Sequence, residues 1–139
     1  MRVLALDYGA ARTGVAVCDP SGTVVTPLQP VERAGTRAGI GRLAALVAER
    51  EVECVLVGLP LTLRGTDSAQ TTEARAFAQR LANRLGEGVP VALHDERLTT
   101  QLARRDPSQR ASEDSRAAAH LLEDWLAGRD LAEPGRPSR

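Results

Sequence analysis

The sequence predicts an α/β fold in which a five-stranded mixed sheet has its first strand at the centre and helices on both faces. Three strand-like segments come first, and the earliest two fit an antiparallel pair. Strand-like and helix-like segments then alternate along the rest of the chain. One of the later strands is wholly apolar, which is typical of a strand buried on both faces.

Apolar runs bounded by turn residues predict the five strands. They cover Val3–Asp7, Arg12–Cys18, Thr23–Leu28, Cys54–Val57 and Val89–His94. The residues Asp-Pro-Ser-Gly at 19–22 predict a tight turn between the second and third strands, which therefore form a hairpin.

Apolar residues at helical spacing predict three helices, over about Ile40–Arg50, about Thr66–Leu85 and Glu113–Leu126. Thr66 and Ser112 are the predicted N-caps of the second and third helices. The polar segment between the last strand and the last helix has room for one further short helix. The resulting order, β-β-β-α-β-α-β-(α)-α, is that of the ribonuclease-H-like fold.

Composition predicts one domain over residues 1–127 and a disordered tail over 128–139, which is rich in Gly, Pro and Arg. The net charge is +0, so any nucleic-acid contact must be a local patch. No apolar stretch approaches the roughly 20 residues of a membrane span. Cys18 and Cys54 lie inside predicted strands without a CxxC motif, which predicts reduced core thiols and a cytoplasmic protein.

Three carboxylates are the candidate catalytic and metal-binding residues. Asp7 ends the first strand, Glu96 follows the fifth, and Asp114 opens the last helix on its apolar face. The carboxyl ends of the first and fifth strands can face one edge of the sheet, where open α/β sheets place their sites. Each acid also has a structural alternative: Asp7 in a β-turn, Glu96 at an acidic helix start, and Asp114 beside the helix dipole.

Asp and Glu side chains without nearby His or Cys are hard oxygen ligands, which favour Mg²⁺ or Mn²⁺ over zinc. Two such ions can activate a water and stabilise the leaving oxygen of a phosphodiester. The three acids together therefore predict a two-metal site, and a metal-dependent nuclease, a hydrolase acting on ester bonds, is the leading function.

Four further residues are candidates for holding nucleic acid. Arg12 and Arg64 lie in the loops nearest to the predicted site, and arginine binds phosphate through two parallel hydrogen bonds. The predicted helix start at Thr66 offers free N–H groups to a phosphate. Arg97 is the fourth candidate, although Arg97 and Asp95 could instead form a structural ion pair.

Four segments of the chain resemble motifs of the YqgF/RuvX-like family, in the same order and at similar spacing. They are LDYGAARTGVAVCD, VGLPLTLRGT, HDERLTT and EDSRAAAHLLEDWL, and the resemblance covers about residues 1–126. It implies a ribonuclease-H-like fold and a divalent-metal site at the acids that match here as Asp7, Glu96 and Asp114. It also implies trimming of the 5′ end of precursor 16S rRNA, with ribosomal particles as partners. Single-stranded or branched DNA is the alternative substrate.

The chain departs from the family at three places. Ala11 stands where the first turn usually carries a Lys, and Thr62 where the loop after GLPL usually begins with Asn. Residues 101–113 form a shorter and less basic segment than is usual. The choice of substrate therefore stays open, as does the choice between a monomer and the two-fold homodimer that a junction cutter needs.

Two other classes of function stay open. The spacing of Asp7, Gly9 and Gly14 resembles the phosphate loop of the actin and sugar-kinase superfamily, but those ATPases need a second domain to enclose the nucleotide. The neutral charge and the short 101–113 segment would also suit a non-catalytic RNA- or ribosome-binding factor. The intact acids favour the enzyme, because buried unpaired carboxylates would otherwise destabilise the fold.

Overall fold

The computed structural model describes residues 1–95 and 113–132, with side chains for 1–95 and 115–128. Within these ranges, the strands and helices are β1 (Val3–Asp7), β2 (Arg12–Cys18), β3 (Val25–Glu32), α1 (Arg37–Glu49), β4 (Cys54–Leu59), α2 (Ala69–Leu85), β5 (Val91–Asp95) and α3 (Glu113–Ala132). The strands lie in the order β3-β2-β1-β4-β5, so the prediction of a central first strand is confirmed.

The directions of the strands bring several chain ends to one edge of the sheet. β1 pairs antiparallel with β2 and parallel with β4, and β4 pairs parallel with β5. The carboxyl ends of β1, β4 and β5 therefore lie at the same edge, named here the Asp7 edge. β3 runs antiparallel to β2, and the pairing of Arg12 with Glu32 puts the start of β2 and the end of β3 at this edge too.

Side chains along β1 alternate between the two faces of the sheet, so both faces carry apolar groups. Helices cover both faces. Leu4 and Leu6 pack with Leu43 of α1 and Phe77 of α2 in the larger apolar cluster. On the other face, Val3 and Ala5 pack with residues of α3 in a smaller cluster. Each face thus buries its own helices against the central strand.

Two predictions from composition can be compared with this fold. Cys18 and Cys54 are reduced thiols buried in the sheet, as predicted. No helix in the described part of the chain combines the length and apolarity needed to cross a membrane.

The structure corrects the predicted bounds of several elements. β3 is Val25–Glu32 rather than Thr23–Leu28, because an edge strand tolerates Pro27 and Pro30 at positions where the backbone nitrogen faces away from the neighbouring strand. α1 begins at Arg37, β4 extends to Leu59, and β5 covers Val91–Asp95.

The last helix also differs from its prediction. α3 continues to Ala132, past the expected end at Leu126, so residues 128–132 of the predicted disordered tail are helical. The rest of the predicted tail lies outside the described residues. So do the predicted N-cap Ser112 and the further short helix expected after the fifth strand.

Candidate functional site

Asp7 ends the central strand, where it is half-buried and lines a cavity of about 330 Å³. The turn after β1, the loop after β4 and the start of α2 supply the rest of the lining: Tyr8, Gly9, Ala10, Pro60, Gln70 and Glu73. Gln70 and Glu73 are three positions apart on α2 and therefore share a helix face. The lining includes two carboxylates and an amide, and neither His nor Cys.

Close packing fixes the turn that follows Asp7. A Cβ atom on Gly9 would lie 2.4 Å from the carbonyl oxygen of Arg12, so only glycine fits there without a shift of the backbone. The Oγ1 atom of the buried Thr13 lies 3.4 Å from both the N and the O of Gly9. Tyr8 stacks on Phe77 with ring centroids 4.5 Å apart. The backbone that carries Asp7 is thus held from both sides.

The other two predicted acids adjoin elements that end or begin near Asp7. Glu96 directly follows β5, whose last residue, Asp95, pairs with Leu59 at the Asp7 edge. Glu96 itself lies outside the described residues, as does Arg97. The backbone of Asp114 belongs to the first turn of α3, and its side chain lies outside the described part.

Ser115 fixes the first turn of α3 to the sheet. Its hydroxyl accepts a hydrogen bond from the Val15 N–H at 3.2 Å and donates one to the Leu28 carbonyl at 2.5 Å. Val15 pairs with Leu6, the residue before Asp7. The backbone of Asp114 therefore lies beside the end of β1, as a site shared with Asp7 requires.

The three-acid metal site remains a prediction. Among the described side chains, no three His, Cys, Asp or Glu residues cluster closely enough to hold a metal ion by themselves. Of the predicted triad, Asp7 alone has a described side chain. Its described carboxylate neighbour in the cavity is Glu73, which the sequence did not indicate.

Arg12 and Arg64 lie at the Asp7 edge but outside the lining of the cavity. Arg12 begins β2 and is exposed, and Arg64 is exposed in the loop between β4 and α2. The N–H of Arg33, at the end of β3, donates to the Ala11 carbonyl at 2.9 Å, which brings a further exposed arginine to this edge.

The predicted role of Thr66 as the N-cap of α2 is wrong. The helix begins at Ala69, and its N-cap is Ser68, which forms a reciprocal capping box with Thr71. The hydroxyl of Thr66 instead lies 2.6 Å from that of Thr62, in a turn before the helix. Thr66 therefore presents no helix N-terminus to a phosphate.

The sequence reasoning missed three residues of this region: Gln70, Glu73 and Ser115. Ser115 shares a helix face with Ala118 and Leu122, so a small polar residue on an apolar stripe was its signal. Gln70 and Glu73 gave no comparable signal, because their approach to Asp7 depends on how α2 packs on the sheet.

Two solved structures share this fold at low sequence identity. T. thermophilus RuvC in complex with a Holliday junction substrate aligns with a TM-score of 0.52 and 19% identity, over 92% of this chain and 95% of that chain. The fowlpox virus Holliday junction resolvase aligns with a TM-score of 0.56 and 12% identity, over 92% and 99%. At these identities the likeness shows the fold alone, and it confirms the predicted ribonuclease-H-like architecture.

Relatives in sequence extend over almost the whole chain. A protein of Rhodococcus erythropolis is 42% identical over 99% of this chain and 85% of its own length. One of Mycobacterium tuberculosis is 43% identical over 96% and 83%. Both bear the name "Putative pre-16S rRNA nuclease". Residues 1–128 match the family described as RuvX, Holliday junction resolvase. With this fold, this identity and this coverage, the chain belongs to the RuvX family.

Proposed function

We propose that this protein is a divalent-metal-dependent nuclease that hydrolyses phosphodiester bonds and processes the 5′ end of precursor 16S rRNA in the cytoplasm. The observation that carries the proposal is the position of Asp7, half-buried at the end of the central strand and facing a cavity lined by oxygen-bearing side chains. Partial removal of a carboxylate from water has a free-energy cost that a bound cation offsets.

The donor set in the cavity suits Mg²⁺ or Mn²⁺. Asp7, Gln70 and Glu73 offer hard oxygen ligands, and no lining residue offers a soft sulfur or an imidazole. Asp7, Glu96 and Asp114 would hold the metal, and we propose that they bind two ions together. When bound, the metal would supply Lewis-acid polarisation of the scissile phosphate and of the attacking water.

The other residues at the Asp7 edge would bind and orient the substrate. Arg12, at the start of β2, and Arg64, in the loop after β4, lie at the Asp7 edge outside the cavity lining, where their guanidinium groups would neutralise phosphates that flank the scissile bond. Gly9 and Ala10 line the cavity with little or no side chain, which lets a phosphate approach the turn closely. Tyr8, stacked on Phe77, keeps this wall in place.

The names of the relatives support precursor 16S rRNA as the substrate. Both proteins compared above carry that substrate in their names, at 42% and 43% identity. The description of the family favours a second candidate, cleavage of a Holliday junction. That reaction needs two active sites related by two-fold symmetry, so a junction cutter would be a homodimer.

A cleavage assay with matched variants tests the proposal. End-labelled precursor 16S rRNA, single-stranded DNA and a four-way junction are each incubated with Mg²⁺, Mn²⁺ or EDTA. Asp7→Asn keeps the size of the side chain and removes its charge, so cleavage should fall at least about 100-fold. Glu87→Gln is the control, since Glu87 is an exposed carboxylate in the turn between α2 and β5, at the opposite edge of the sheet.

Each outcome of the assay decides between functions. Metal-dependent cleavage of precursor rRNA that is lost in Asp7→Asn and kept in Glu87→Gln supports the proposed enzyme. Faster cleavage of the junction would assign the second candidate. If folded protein binds RNA and cuts none of the substrates with either metal, the nuclease is excluded and the non-catalytic binding factor takes its place.

A further inference from the structure

The loop between β4 and α2, whose Pro60 lines the Asp7 cavity, also carries an exposed apolar side chain. Leu63 is 84% exposed, the highest value among the large hydrophobic residues in the described part of the chain. Single exposed leucines are common on protein surfaces, so exposure alone decides nothing. The way in which the loop holds this leucine is what distinguishes it.

Hydrogen bonds between Thr62 and Thr66 close the loop around Leu63. The Thr62 N–H donates to the Thr66 carbonyl at 2.9 Å, and the Thr66 N–H donates to the Thr62 Oγ1 at 3.1 Å. The Gly65 N–H donates to the Thr62 carbonyl at 2.8 Å, which makes Leu63 and Arg64 the two central residues of a β-turn. Because the turn is already closed, a ligand that packs on Leu63 orders little backbone.

The same loop is anchored to the wall of the Asp7 cavity. The Thr71 hydroxyl donates to the carbonyl of Pro60, a lining residue, at 2.9 Å. At the other end, the guanidinium of Arg75 pairs with Asp67 at 2.8 Å, and this bond raises the pKa of Arg75. The turn that presents Leu63 therefore has a fixed position relative to Asp7.

We propose that Leu63 is a wedge that packs against an unpaired nucleobase next to the scissile phosphate, while Arg64 contacts the sugar-phosphate backbone of the same strand. The proposal rests on the nuclease function proposed above. Leucine is among the side chains that proteins insert between bases, and a base face accepts an apolar group whatever the base. The substrate class is therefore nucleic acid that is single-stranded or branched at the cleavage site.

Cleavage of single-stranded RNA that lacks one base tests the wedge. An abasic position is placed on either side of the cut in otherwise identical oligonucleotides. We expect one abasic position to slow the wild-type enzyme about tenfold, and Leu63→Ala to slow cleavage of the intact RNA by a similar factor. Leu63→Ala should then be insensitive to the abasic position, because the contact is already lost. Leu63→Met should retain most of the wild-type rate.

Val24→Ala is the matched control. Val24 is an apolar residue, 57% exposed, in the turn between β2 and β3 at the opposite edge of the sheet. A drop of similar size in Val24→Ala, or a Leu63→Ala rate equal to wild type on every substrate, would overturn the wedge while the nuclease stands.

A binding measurement separates the two proposals. Asp7→Asn protein is mixed with RNA that carries the fluorescent base 2-aminopurine at the sensitive position. Packing of Leu63 on that base should change its fluorescence, and Asp7→Asn/Leu63→Ala should bind without the change. Equal signals from both proteins would overturn the wedge. Absence of cleavage and of binding in the wild type would overturn both the wedge and the nuclease.

Discussion

At the scale of single residues, Ser115 replaces a missing contact between two strands. Thr13 pairs with Val31 but Val15 pairs with Leu28, so β3 contains one extra residue opposite β2. Such a bulge interrupts the ladder and leaves backbone groups to be satisfied in another way. The fully buried Ser115 hydroxyl bridges Val15 and Leu28 at this irregularity. The Ser115 side chain thus satisfies backbone groups at the bulge and also fixes to the sheet the helix that begins with Glu113 and Asp114.

Ser115→Ala should therefore destabilise the protein more than the loss of one hydroxyl suggests. The buried Val15 N–H and the partly buried Leu28 carbonyl would both lose this partner, and the expected loss in the free energy of unfolding is roughly 2–4 kcal/mol. Urea denaturation followed by circular dichroism measures it. Thr72→Ala is the control, because the Thr72 hydroxyl bonds the Ser68 carbonyl on an exposed helix turn. Equal small losses in both variants would contradict the bridging role.

At the scale of elements, the bounds of the inner strands β1 and β2 were predictable and those of the edge strand β3 were not. β1 and β2 have the predicted bounds because their apolar runs are buried by both neighbours. β3 was predicted too short, since the effect of Pro27 and Pro30 depends on whether a strand lies at an edge, a property of the whole sheet. The start of α2 was misplaced because Thr66 and Ser68 are both good caps, and the bond from Thr66 to Thr62 decides between them.

The turn between β2 and β3 carries a pH dependence that can be measured. The Ser21 hydroxyl donates to the Oδ2 of Asp19 at 2.7 Å, and the N–H groups of Val24 and Thr23 donate to Oδ1. These bonds stabilise the charged form and lower the pKa of Asp19 from its ordinary 3.8 to about 2, the Ser21 bond contributing most. The folded state therefore binds a proton less readily than the unfolded state does.

Because the pKa of Asp19 is lower in the folded state, its contribution to stability is present above pH 3.8 and is lost as the pH falls towards about 2. Asp19→Asn keeps an acceptor oxygen and removes the titration. We expect the free energy of unfolding of the wild type to fall more steeply than that of the variant over this range. Urea denaturation at a series of pH values measures both, and parallel curves would contradict the prediction.

At the scale of the whole molecule, the topology explains why three distant segments can share one site. The strands β1, β4 and β5 are parallel neighbours, so the segments that follow residues 7, 59 and 95 all leave the sheet at the Asp7 edge. α3 begins at the same edge, on the face of the sheet opposite to α1 and α2. Sequence patterns predicted this order and the acids that adjoin it. They could not predict Gln70, Glu73 or the Leu63 turn, because those positions depend on helix docking and on loop hydrogen bonds.

The charge of the whole molecule sets how it should attract nucleic acid. The chain has 18 acidic and 18 basic residues, so the protein has no net charge that would attract phosphate over long distances. Binding must come from local contacts, each of which displaces condensed counterions from the strand. The slope of log affinity against log salt concentration therefore reports how many arginines contact phosphate.

Arg12→Gln and Arg64→Gln should each flatten the plot of log affinity against log salt concentration by about 0.7 for single-stranded RNA, the value expected for one lost phosphate contact. Arg50→Gln is the control, since Arg50 follows α1 at the opposite edge, where its carbonyl accepts a bond from Arg2. Fluorescence anisotropy of labelled RNA, with Asp7→Asn as the background to prevent cleavage, gives the three slopes. A flatter slope for Arg50→Gln alone would move the nucleic-acid surface away from the Asp7 edge, and with it the proposed site.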